Sequence, residues 1–233
     1  MKAIILAAGE GRRLRPLTEN IPKCMVELNG KPLLQYWLDN CQRSGINEVL
    51  INTHYLAEKI TDFIDSVSHR YSMRIHCVHE SELYGTGGTL KNNSDFIKGE
   101  EFFFFCHGDN FTNINIGKFI DFHTRKKSML SVALFETNLP KQCGIAEEIG
   151  PDDRIVKFIE KPEKPTSNLA SAAIFLMSPN LIKDFPDKKH IDFSKEILPA
   201  YQGRMYGYKF DGFNIDIGTL ENYKTACTLA TVS

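Results

Sequence analysis

Residues 2–16 constrain the fold more than any other stretch: Lys2, Ala3, Ile4, Ile5 and Leu6 form a short apolar run, followed by Ala7-Ala8-Gly9-Glu10-Gly11 and the arginine-rich Arg12-Arg13-Leu14-Arg15-Pro16. A continuous Ile-rich run of this length reads as a strand buried on both faces, as in a parallel sheet. Glycines after it let the backbone turn sharply and bring its N–H groups close to a ligand. Arginines beside such a turn offer forked donors that match phosphate oxygens. A buried strand that empties into this turn predicts a polyphosphate-binding loop at the carboxyl end of a sheet. A chance Gly-Arg surface turn is the competing explanation.

The glycine spacing narrows the choice. A dinucleotide fingerprint requires a third glycine at position 14, where Leu14 stands, which disfavours a dinucleotide-dependent oxidoreductase. The Gly-Lys-Ser/Thr ending of a P-loop is also missing from the chain.

Strand-like and helix-like segments alternate through the first half, the pattern of a parallel sheet with right-handed crossovers. Helices are predicted over 32–44, with Leu33, Leu34, Trp37, Leu38 and Cys41 on one face, and over 56–67, with Ile60, Phe63, Ile64 and Val67 as the apolar stripe. Strands are predicted over 48–52 and 73–78. Tyr84-Gly85-Thr86-Gly87-Gly88-Thr89-Leu90 reads as a second loop, either a place where backbone meets a flat ligand or a flexible connector.

Phe102-Phe103-Phe104-Phe105-Cys106 has the character of a central strand, and it discharges into His107-Gly108-Asp109-Asn110. Asp109 is thereby placed where α/β sheets keep ligands, although a turn or helix-cap aspartate would look the same. Further on, a helix is predicted over 116–125 and a strand over 130–135. Paired short strands follow over 143–147 and 154–159, so the sheet is expected to be mixed. Glu160-Lys161-Pro162 closes that pair and on its own reads as a solvated charge pair before a turn. Strands are expected over 172–177 and 206–210, a short helix over 193–199 and a last helix over 220–229. Asp216-Ile217-Gly218-Thr219 stands before this last helix, where Thr219 suits an N-cap.

The 233 residues show no Pro/Gly/Ser-rich linker, so one domain over 1–233 is expected. A net charge of −1 gives no bulk attraction to nucleic acid or anionic membrane, and neither is expected as a partner. Six scattered cysteines without a Cys-x-x-Cys pair read as free thiols of a reducing compartment. Strand alternation puts His76 and Cys77 on opposite faces, against a zinc site with His79. The opening apolar run is too short for a signal peptide, and no apolar run is long enough to span a membrane, so a cytoplasmic protein is expected.

In order, these motifs resemble the sugar-1-phosphate nucleotidyltransferase family. Leu6-Ala7-Ala8-Gly9-Glu10-Gly11-Arg12-Arg13-Leu14-Arg15-Pro16-Leu17-Thr18 is similar to its signature loop, with Arg12 in place of a threonine, and Pro22-Lys23 follows at the family interval. The resemblance implies an α/β, Rossmann-like three-layer sandwich with a mixed, mostly parallel central sheet. It also implies magnesium-dependent, in-line transfer from a nucleoside triphosphate to a sugar 1-phosphate. Arg13, Lys23, Asp109 and Asp216 would be the catalytic residues, with Asp109 and Asp216 holding Mg2+. Leu6, Ala8, Gly9, Gly11, Arg12, Arg13, Gly85, Thr86, Gly87 and Gly88 would bind the nucleotide. Glu160, Lys161, Asn110 and Ser171 would bind the sugar phosphate, although Ser171-Ala172-Ala173 departs from the family's Asn-Ala/Ser-Gly.

Gly-Thr-Gly-Gly-Thr-Leu-Lys and Asp-Ile-Gly-Thr-Leu-Glu-Asn-Tyr look most like the mannose- and heptose-1-phosphate guanylyltransferases, which favours GTP. The stretch from Pro22 to Glu27 also looks like cytidylyltransferases acting on phosphorylated small molecules. A non-catalytic nucleotide-sugar-binding regulatory subunit is the alternative of another class. Family members often assemble, which implies a homo-oligomer.

Overall fold

In the computed structural model, which describes residues 1–231, the opening apolar run is the strand Lys2–Leu6. It pairs in parallel with Glu48–Thr53, which pairs in parallel with Arg74–His79. Ala3, Ile4 and Ile5 are fully buried, as a run without polar alternation requires. Parallel neighbours need crossover connections, and the helices Leu33–Arg43 and Ala57–Val67 supply them. Leu33, Leu34, Trp37, Leu38 and Cys41 are all buried, the three- and four-residue spacing of one helix face. In the second helix Ile60, Ile64 and Val67 are buried and Phe63 is only partly covered.

The chain divides into two compact units. The first comprises Met1–Leu83, Cys106–Asn113 and the residues from Phe213 onward; the second comprises Tyr84–Phe105 and Ile114–Gly212. In the second, Leu130–Glu136 pairs antiparallel with Leu169–Met177 and parallel with Tyr206–Lys209. The expected pair of short strands forms as Gly144–Ile149 and Ile155–Glu160, antiparallel. Phe105, Phe175 and Phe193 interlock in its core, Phe193 lying edge-on to the other two at 5.0–5.5 Å between ring centroids. The fold is α/β on a mixed, mostly parallel central sheet with helices.

Three local features differ from what the sequence pattern predicts. Tyr84 to Leu90 is not a loop: Gly85–Asn92 is a helix, and Gly87, Gly88, Thr89 and Leu90 are buried in it. Glycine lowers helix propensity by about 1 kcal/mol per residue, so packing has overridden local preference here. Phe193–Ile197 forms a π-helical turn. Finally, Asn110–Thr112 and Asn214–Asp216 pair as a short antiparallel ribbon that no periodicity announced.

Candidate active site

Four side chains from separate stretches of the first unit meet at one point. Lys23 Nζ donates to Asp109 Oδ2 at 2.6 Å and also to Asp216 Oδ1. Arg13 Nη2 reaches Asp216 Oδ2 at 3.5 Å. The acidic pair therefore shares one ammonium, and Asp216 also faces a guanidinium.

Local structure explains the convergence. Gly108 N–H donates to Leu6 O at 2.8 Å, and a Cβ on Gly108 would lie 2.8 Å from Ile5 Cγ2 and 2.9 Å from Leu6 O. Only glycine lets the end of the phenylalanine strand approach the first strand so closely, which sets Asp109 beside the arginine loop. The ribbon then pairs Asp216 with Asn110, the residue next to Asp109. Ile217 N–H donates to Asp109 O at 3.3 Å and Gly218 N–H to Asp216 Oδ1 at 2.8 Å. Behind the charges, Leu14, Val26, Leu28, Leu33, Phe111, Ile217 and Ala226 form one buried apolar cluster. It anchors the arginine loop, the ribbon and the last helix to the same base.

The Lys23 side chain is only 8% exposed. Burial disfavours its charge, yet Asp109 and Asp216 outweigh burial and hold its pKa above the ordinary lysine value. For Asp109 burial pushes the pKa up, and the charges of Lys23 and His107 together with hydrogen bonds bring it below the usual carboxylate range. Both groups are ionised at neutral pH.

The donor chemistry of this point fits a divalent ion. Two carboxylate oxygens on separate segments aim at one cationic atom, and magnesium is commonly held by one or two carboxylates plus substrate phosphates. No group of three or more His, Cys, Asp or Glu side chains suited to a metal occurs among the described residues. An ion held by Asp109 and Asp216 would take its remaining ligands from phosphate or water.

The arginine loop is fixed at both ends. Ala7 N–H donates to Asn52 Oδ1 at 2.8 Å, and Tyr55 OH donates to Thr18 O at 3.1 Å and Glu19 O at 2.9 Å. Thr18 Oγ1 donates to Gly11 O at 2.8 Å, and Gly11 is left-handed at φ 62°. A Cβ on Gly9 would meet nothing within 4 Å, so the loop has open space at that residue. Leu6 and Ala8 flank the turn, Ala8 being buried. Arg12 does not face the acidic pair: its guanidinium forks onto both carboxylate oxygens of Glu10. Asn110 is buried in the ribbon, and its carbonyl accepts from Trp37 Nε1 at 2.9 Å.

The remaining predicted residues belong to the second unit. Gly87 and Gly88 donate their N–H groups to Ile191 O at 2.8 and 3.3 Å, and Thr86 Oγ1 accepts from Phe193 N–H at 2.8 Å. Glu160 ends its strand and Lys161 follows it, in the left-handed region at φ 48°. Burial, above all, raises the Glu160 pKa. Ser171 Oγ accepts from Ala173 N–H at 3.2 Å, inside a register shift where Ala173 sits at φ 54°.

The nucleotidyl transferase family model matches residues 2–231. The chain belongs to this family. Among its relatives is the mannose-1-phosphate guanylyltransferase catalytic subunit beta of Danio rerio, 29% identical over 97% of this chain and 63% of the relative. The chain thus spans less than two thirds of that relative's length. The crystal structure of HddC from Yersinia pseudotuberculosis superposes with a TM-score of 0.83 at 26% identity, covering 98% of this chain and 99% of that one. HddC has also been solved in complex with GMP-PN. A Bacillus anthracis structure with bound sucrose shares the fold at a TM-score of 0.87 and 23% identity, covering 99% of this chain and 95% of that one.

Sequence reasoning missed the residues that position this nucleotidyl transferase loop. Asn52 and Tyr55 act on backbone rather than through a motif. The one available signal was a polar Asn52 within the apolar strand Glu48–Thr53.

Proposed function

We propose that this family member transfers a guanylyl group from GTP to a sugar 1-phosphate, releasing pyrophosphate. The convergence of Arg13, Lys23, Asp109 and Asp216 carries the reading. An oxygen of the sugar phosphate attacks the α-phosphorus in line. The bond from that phosphorus to the bridging oxygen of the β-phosphate breaks, and pyrophosphate leaves with the electron pair. The attacking oxygen is already ionised, so no general base is required. Catalysis is then positioning and charge neutralisation of two anions brought together.

Arg13 neutralises the leaving pyrophosphate, and Lys23 holds the α-phosphate or the sugar phosphate. Gly9 and Gly11 bring backbone near the triphosphate. In the second unit, Gly85 and Thr86 line the base, with Gly87 and Gly88 shaping the helix that carries them. Glu160 accepts from sugar hydroxyls while Lys161 pairs with the sugar phosphate. Ser171 in the second unit, and Asn110 in the first, would each contact the sugar phosphate. Magnesium held by Asp109 and Asp216 would add positive charge against the reacting phosphates.

Guanylyl transfer is favoured because a relative is named a mannose-1-phosphate guanylyltransferase and HddC is solved with GMP-PN. The proposal includes a single catalytic domain, a homo-oligomeric assembly and a reducing, cytoplasmic setting in keeping with six cysteines outside any disulfide. No helix among the described residues is long and apolar enough to cross a membrane. The test offers each nucleoside triphosphate with a panel of phosphosugars and measures pyrophosphate. GTP with mannose 1-phosphate or a heptose 1-phosphate is expected to turn over. Activity with CTP alone overturns the guanylyl choice, and no magnesium-dependent turnover with any pair overturns the enzyme reading.

A further inference from the structure

The acidic pair already has a cation. We propose that Lys23 is the resident counter-ion of the Asp109–Asp216 site, holding the carboxylates together and ceding its place to a divalent ion only when a triphosphate gives its ammonium another anion. This rests on the metal-assisted reading above and deepens it, by making metal binding and nucleotide binding mutually dependent.

The charges at the site carry the argument. Arg13 and Lys23 contribute two positive charges, and Asp109 and Asp216 two negative ones. The cluster is balanced as it stands. Lys23 Nζ contacts a carboxylate oxygen from each aspartate, so it occupies the point toward which both aim. An ion cannot share that point with an ammonium.

Space on the Gly218 side of the cluster is also short. A Cβ on Gly218 would lie 2.9 Å from Asp216 Oδ1, 3.0 Å from Arg13 Nη2 and 3.1 Å from Lys23 Nζ. Glycine at 218 lets the backbone hug the charges, and the two aspartates are the only carboxylates within this group. An almost buried ammonium driven from both partners would be an uncompensated charge, a strongly unfavourable state. A divalent ion arriving alone must create that state. A triphosphate removes it, because its oxygens accept the displaced Lys23 while its charge balances the incoming ion. Without either ligand, Lys23 keeps two like-charged carboxylates from repelling each other out of position.

Manganese serves as the probe, since free Mn2+ is counted by EPR without any turnover. In nucleotide-free protein, Lys23→Met is expected to bind Mn2+ at least about tenfold more tightly than wild type. Adding Asp216→Asn to Lys23→Met is expected to abolish the gain. Equal Mn2+ affinity of wild type and Lys23→Met overturns the proposal, as does a gain that survives Asp216→Asn. Lys23→Gln, which keeps a hydrogen-bond donor without the charge, is expected to show the same gain as Lys23→Met, and wild-type affinity in Lys23→Gln also overturns the proposal.

If neither variant folds, the wild type carries the test by 15N NMR of the Lys23 ammonium. Its resonance is expected to move when Mg2+ is added together with a non-hydrolysable GTP analogue, and to stay in place with Mg2+ alone. A resonance unmoved by both, or moved fully by Mg2+ alone, overturns the proposal. Wild-type pyrophosphate release that survives EDTA would instead sink the metal-assisted reaction, which none of the binding arms measures.

Discussion

Two glycine-rich stretches of this chain look alike in sequence and behave differently in structure. In the first, residues 9–11, Gly9 borders open space and Gly11 adopts a left-handed turn next to the charged cluster. In the second, residues 85–88, the glycines are filled in by protein. A Cβ on Gly87 would lie 2.7 Å from Ile191 Cγ2, and one on Gly88 would lie 2.6 Å from Lys189 O. Their N–H groups go to Ile191 O. Gly9 leaves room for something outside the chain, whereas Gly11, where a Cβ would lie 3.0 Å from Thr18 Cγ2, and Gly87 and Gly88 make room for the chain itself. A glycine pattern announces close approach and does not say what approaches.

The largest effect expected from this contrast is catalytic and belongs to the first stretch. Arg13→Ala should lower the rate roughly 10²–10³-fold, the usual loss for a transition-state donor, with the melting temperature little changed. Near-normal turnover in Arg13→Ala would remove Arg13 from the chemistry.

Acid should separate the two units next. His123 is buried in the second, with its Nδ1 2.9 Å from Ser131 Oγ, and burial lowers its pKa to about 4. The unfolded chain binds a proton below about pH 6.5 while the folded one does not. Stability is therefore complete above pH 6.5 and is lost as pH falls toward 4, by about 3 kcal/mol in all. Asp109 in the first unit has a lowered pKa, so its contribution is present above the ordinary carboxylate pKa and lost only in stronger acid. Thermal melts of wild type and His123→Gln at pH 7 and pH 5 check this. The variant should lose less between the two pH values, and an equal loss would show that His123 is not the source.

Smaller again are the glycine substitutions themselves. Gly88→Ala should destabilise by about 1–3 kcal/mol in a denaturant titration, because Lys189 O or the helix must move. Gly9→Ala should leave stability unchanged or raise it by less than about 1 kcal/mol, yet raise the KM for the triphosphate. If Gly88→Ala were harmless, or Gly9→Ala destabilising, the contrast would fail. At a backbone position in the left-handed region, Ala173→Gly should add about 1 kcal/mol, since φ 54° suits glycine better than alanine.

What could be read in advance follows from how local each signal is. The strand Lys2–Leu6 and the helix Leu33–Arg43 announce themselves, because burial on one or both faces writes a period into adjacent residues. Asp109 and Asp216 were legible as family motifs. The resemblance also implied their meeting, since both were expected to hold one magnesium, but the ribbon that joins them, Asn110–Thr112 with Asn214–Asp216, was hidden, because it is too short to leave a period and spans about a hundred residues of chain. The helix Gly85–Asn92 was hidden for the opposite reason: its residues favour turns, and only the segment packed against it makes it helical. Arg12 looked like a phosphate ligand, whereas Glu10 holds its fork.

That ribbon has a bearing on how the protein is made. A growing chain completes the arginine loop, Lys23 and Asp109 long before Asp216 exists. Until residue 216 leaves the ribosome and folds back, half of the acidic pair is absent. The two carboxylates therefore come together only after Asn214–Asp216 has been made and has paired with Asn110–Thr112.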